Sequence, residues 1–136
     1  MNKTGKNYKA SSVGDIQARG RVTLHSELSL TGSEISINEL PPGVSVQFVH
    51  SHRRNEEVYI VVKGKGRFHV DGDEFEVEEG SVIRVDPAGA RCITADSQSP
   101  IRYICIQTEA KSLVQFTEGD GVILETKPTW LKQAGA

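Results

Sequence analysis

The chain has 136 residues, 25% of them charged, with a formal net charge of -2. One domain is expected, because a chain of this size buries roughly 70% of its unfolded surface around one core. Mixed charges give no basic footprint for nucleic acid or a membrane surface, and no apolar run approaches the ~20 residues of a spanning helix. The start, Met1 to Lys6, is polar and lacks the apolar centre of a signal peptide. Two cysteines, Cys92 and Cys105, are too few for a disulfide scaffold. A soluble cytoplasmic protein is the expectation.

Residues 1–20 are polar and read as a loose arm or a short edge strand. Val22 to His25 and Leu28 to Leu30 show short alternation. Glu34 to Leu40 alternates clearly and reads as a strand with one buried face, ended by Pro41-Pro42-Gly43. Val44 to Val49 leads into His50-Ser51-His52. Val58 to Val62 is an apolar run that reads as a buried strand. Phe68 and Val70 share one face of the next strand. Asp71-Gly72 is a two-residue hairpin signal. Phe75 and Val77 then alternate with Glu74, Glu76 and Glu78. Ser81 to Val85, Cys92 to Ala95 and Ile101 to Gln107 read as further strands. Val122 to Leu124 suggests a short strand, and Trp130-Leu131 an apolar anchor. Short strands with turn signals every 8–12 residues or so predict an all-β sandwich or closed barrel. The expected division is an arm at 1–20, a barrel at 21–112 and a C-terminal extension at 113–136 that packs on the barrel.

Chemistry concentrates in residues 50–59. His50 and His52 share a face if the segment is extended, because side chains alternate with period two. A carboxylate follows, from Glu56 or Glu57. Two imidazoles and a carboxylate suit a divalent transition metal with open positions for water or substrate. Parity sends Val46 and Phe48 inward with the histidines, as an apolar wall beneath them. Buried imidazoles and a carboxylate are costly without a cation or hydrogen-bond partners.

These residues resemble the cupin superfamily, in its small single-domain form. The first cupin motif runs Gly, about five residues, His-x-His, three or four residues, Glu, six residues, Gly. Here Gly43 is followed after six residues by His50-x-His52, after four more by Glu57, and after six more by Gly64. The last interval selects Glu57 over Glu56. The second motif runs Gly, five residues, Pro-x-Gly, two residues, His, three residues, Asn. Here Gly80 is followed after six residues by Pro87-x-Gly89, after two by Cys92, and after three by Asp96. The resemblance implies a double-stranded β-helix, or jelly roll, with metal ligands in the barrel mouth and pairing into a homodimer. It also implies a small-molecule ligand or substrate.

The second motif's histidine is replaced by Cys92. Its thiolate is a candidate fourth ligand, with packing as a small buried filler as the plainer reading. The metal set is therefore His50, His52, Glu57 and Cys92, for an ion such as zinc, iron, manganese or nickel. Arg91 is a candidate cation at the mouth for an anionic ligand. Phe48, Tyr59 and Tyr103 are candidate ligand-contacting residues, with aromatic packing as the plainer reading. Cys105 reads as core, His25 and His69 as surface or edge, and Arg53 and Arg54 as solvated loop charges. Two functions stay open: a metal-dependent enzyme of isomerase, dioxygenase or lyase type on an oxygen-rich substrate, and a binding or sensor barrel without metal.

Overall fold

The computed structural model describes residues 1–131. Twelve elements occur among them. A hairpin of β1 (Lys3–Gly5) and β2 (Tyr8–Ala10) leads to the one-turn helix α1 (Ile16–Arg19). Then come β3 (Arg21–Thr23), helix α2 (Leu24–Leu28) and β4 (Glu34–Leu40). The remaining strands are β5 (Asn55–Val70), β6 (Asp73–Glu78), β7 (Val82–Val85), β8 (Arg91–Ala95) and β9 (Ile101–Glu109). Helix α3 (Thr117–Asp120) follows in the tail.

β5 organises the barrel. Its 16 residues belong to two sheets in turn. The first half pairs with β9 on one side and β7 on the other. The second half pairs with β6 and β8. β4 and β3 extend the first sheet beyond β9. The register shifts between Val61 and Lys63, where the strand passes from one sheet to the other. Glycine is required at this corner. Gly64 has φ +77°, and a Cβ there would lie 1.9 Å from the Pro100 carbonyl oxygen. A Cβ at Gly66 would lie 2.0 Å from the Thr94 carbonyl oxygen. All strand pairs are antiparallel. The result is the expected all-β jelly roll.

Period-two alternation places the core inside. Tyr59, Val61, Phe68, Val77, Val85, Ile93, Ile101, Tyr103 and Cys105 form one buried cluster. The hairpin at Asp71-Gly72 has positive φ at both central residues, 51° and 89°, the pattern of a type I′ turn.

Four expectations change. The run Val58 to Val62 is not buried on both faces: Tyr59 and Val61 point inward, while Val58, Ile60 and Val62 are half-buried on the outer face. Leu24–Leu28 is helical rather than extended. Leu24 and Leu28 are both half-buried, and a spacing of four gathers them on one helix face as alternation would on a strand. The arm is structured as the β1–β2 hairpin and α1, whose Asp15 cap accepts from the Ala18 amide at 3.3 Å. In the tail, Val122 to Leu124 form no strand, Ile123 is 99% exposed and Trp130 80%. Trp130 is thus no anchor within this chain, and residues 132–136 lie outside the described residues.

Candidate metal centre

The His pair lies on an irregular segment that runs beside β8. Ser45 bridges Thr94 and His50 bridges Arg91. The His50 amide donates to the Arg91 carbonyl at 3.1 Å, and the Arg91 amide returns a bond of 2.9 Å. The His52 amide donates to the Pro87 carbonyl at 2.8 Å. These backbone bonds pin both histidines across from Glu57, which β5 presents from its inner face. One donor atom from each of His50, His52 and Glu57 falls within 4.8 Å of the others. His50 Nε2 is 3.7 Å from Glu57 Oε1, and His52 Nε2 is 3.2 Å from Oε2. The two imidazole planes stand at 82° with centroids 5.1 Å apart.

Glu57 is held from all sides. Its Oε1 accepts from Arg91 Nη1 at 2.7 Å and from the Tyr59 hydroxyl at 2.8 Å. Its Oε2 accepts from the Cys105 thiol at 3.3 Å. Burial alone would raise its pKa. The bonds from Tyr59 and Cys105, with the fields of His52 and Arg91, outweigh burial and hold the carboxyl below its ordinary 4.5. Burial and then the nearby Glu57 charge push the Cys105 thiol up to about 12. Burial likewise raises both Tyr59 and Tyr103, so all three stay protonated at neutral pH. Burial is also the main reason His50 lies below 6.5; Glu57 opposes it, while Arg91, His52 and Arg21 add to it. Neutral imidazole is the form that ligates metal.

A metal ion suits this donor set. His50 Nδ1 and His52 Nε2 are both buried without a hydrogen-bond partner. The short approach of His52 to Glu57 is too poorly aligned to serve as one. An orphaned imidazole nitrogen beside an ionised carboxylate, as at His52 Nε2, is what a divalent cation would satisfy.

Arg91 and Cys92 are placed differently from the other expected site residues. Arg91 does not sit at the mouth. It is fully buried, because alternation along β8 sends Arg91, Ile93 and Ala95 inward. Its guanidinium donates to Glu57 and to the carbonyls of Gly89 at 2.9 Å and Asp86 at 2.7 Å. Cys92 alternates to the other side of the strand and is half-buried. It still lines the cavity, but its thiol donates to the Val46 carbonyl at 3.3 Å and it is not in the group of three. Tyr59 and Tyr103 are core residues that also line the cavity, and Phe48 is 64% exposed at its rim, edge-on to His50. Sequence reasoning missed the thiol of Cys105 on Glu57. It also missed Arg21, which reaches the cavity from β3. The inward setting of Arg91 had a signal: Ile93 and Ala95 are apolar at the same parity.

The cavity over the three donors measures about 660 Å³. Its lining is mixed: Leu40, Val46, Phe48 and Ile93 are apolar, and Ser36, Asn38 and Gln107 polar.

The family model described as "Cupin domain" matches residues 36–107. The crystal structure of a cupin protein from Bacteroides fragilis is similar, with 48% identity and a TM-score of 0.83, over 88% of this chain and 99% of that one. An uncharacterized protein of Methanocaldococcus jannaschii is 26% identical over 77% of this chain and 80% of its own. The oxalate-binding protein of Thermotoga maritima is 28% identical over 50% of this chain and 55% of its own.

Proposed function

The chain belongs to the cupin family, and on that premise we propose that its barrel binds a small oxygen-rich molecule beside a divalent transition metal held by His50, His52 and Glu57. The observation that carries this reading is the convergence of one donor atom from each of His50, His52 and Glu57 within 4.8 Å, with His52 Nε2 buried, unpartnered and 3.2 Å from the ionised Glu57. The metal would act as a Lewis acid toward a chelating ligand. The protein's own part is orientation. Arg91 and Tyr59 fix one carboxylate oxygen and Cys105 the other. The apolar lining residues Leu40, Val46 and Ile93 limit water around the ligand. The oxalate-binding relative supports a small oxygen-rich ligand.

One observation favours a second reading, a ligand-binding barrel without metal. Arg91 already supplies a cation to Glu57, so the carboxylate is neutralised with the centre empty. Elemental analysis of protein purified without added metal separates the two. Near-stoichiometric transition metal supports the first reading. Its absence, with no uptake on titration, leaves the second. If metal is present, turnover on a panel of sugars, keto acids and thiols separates an isomerase, dioxygenase or lyase from a sensor.

We also infer that two copies pair through the outer face of the first sheet. There Ile35, Ile106 and Val58 form one cross-strand row, and Ile37, Ile104, Ile60 and Val82 another. These side chains are half-buried or, at Val82, exposed.

A further inference from the structure

We propose that the cavity selects a small carboxylate-bearing ligand and that Arg21 is the residue that holds the carboxylate. This deepens the small-molecule reading above and rests on it. Among the side chains that line the cavity, Arg21 is the one arginine or lysine and Glu57 the one carboxylate. The negative charge of Glu57 is answered from behind the wall by the buried guanidinium of Arg91. Arg21 has no carboxylate partner among the described residues. The cavity therefore carries one positive charge without a protein counter-ion, and a bound divalent metal adds to that imbalance. Charge of one sign in a half-enclosed, partly apolar site attracts a counter-charge, and the ligand must bring it.

Arg21 is also positioned. It stands opposite Asn38 in the β3–β4 register. Its Nη1 donates to Asn38 Oδ1 at 3.0 Å, and Asn38 Nδ2 donates to Ser36 Oγ at 2.9 Å. Asn38 and Ser36 are buried, at 3% and 4% exposure, so the guanidinium rests on a fixed polar shelf. Its other N–H groups have no protein acceptor among the described residues. A planar fork held in this way matches a carboxylate with two parallel bonds. Its field reaches His50, Tyr103 and Cys105 across the cavity. The apolar residues of the lining, Val46 and Ile93 among them, receive the carbon frame.

The test is calorimetric titration of malonate and succinate, with malonamide and succinamide as neutral isosteres, into metal-free and zinc-loaded protein. At least one acid should bind about tenfold or more tighter than its diamide. Arg21→Met should lose about tenfold in affinity for that acid, and Arg21→Lys should fall between, because the ammonium keeps charge but not the fork. Zinc uptake by Arg21→Met should be no weaker than wild type. The residue is exposed on a short strand, and an unchanged melting temperature in both variants confirms folding. Equal affinity for acid and diamide, no acid binding in either state, or wild-type affinity in Arg21→Met would overturn the proposal. Failure of the metal reading alone is visible separately, as absent zinc uptake while Arg21-dependent acid binding persists in the metal-free arm.

Discussion

Glu57 and Arg91 form the one buried ion pair whose two side chains are both almost wholly out of water, at 3% and 0% exposure among the described residues. Removing one partner of such a pair strands the other charge. Arg91→Met should therefore cost about 3–5 kcal/mol in urea unfolding. The double change Arg91→Met with Glu57→Leu should recover most of that loss, since a packed apolar pair replaces a buried ionic one. The pH dependence has a definite sign. Glu57 sits below 4.5 in the fold, so the unfolded chain takes up its proton first as pH falls. Its contribution to stability is complete above 4.5 and is lost as pH drops through the lower folded value. His50, held below 6.5, acts in the same direction in the window just under that value. Urea midpoints in metal-free protein should fall as pH is lowered through both windows, and Glu57→Gln should flatten the lower one. At this scale the His-x-His spacing and the downstream glutamate made three donor groups legible. Arg91 is set behind the cavity wall rather than at its mouth because neighbouring residues along β8 face opposite sides. The contact of Cys105 with Glu57 spans 48 positions, and no local pattern announces it.

Among the elements, β5 carries the design. Its corner works because Gly64 and Gly66 let the backbones of the Pro100–Ile101 and Thr94–Ala95 segments come close. Gly66→Ala would place a methyl 2.0 Å from a carbonyl oxygen that is itself part of the strand backbone. A loss of at least about 1–3 kcal/mol is expected for Gly64→Ala or Gly66→Ala, read as a lower thermal midpoint. The strands β4 and β6 to β9 were legible because alternation and turn residues agree along them. The Asp-Gly hairpin was legible for the same reason. Leu24–Leu28 was not, because two leucines four apart satisfy a helix face and a strand face equally. What decides is packing against β4, which lies outside the local sequence.

For the whole molecule, apolar surface is the unfinished account. The outer rows of isoleucine and valine on β4, β9 and β5 are half-buried, and the tail leaves Phe116, Ile123 and Trp130 in water. Surfaces of this kind mark interaction sites. Light scattering should return the mass of two chains, and Ile60→Lys with Ile104→Lys on the central row should return one. A wild-type mass of a single chain would contradict pairing through this face.

The central claim is that His50, His52 and Glu57 hold one ion. It is tested most directly by calorimetric titration of chelator-stripped protein with zinc, for wild type and for His52→Ala. The account predicts one zinc per chain in the wild type and a loss of about tenfold or more in affinity for the variant. No binding in the wild type, or an unchanged isotherm in His52→Ala, would contradict it.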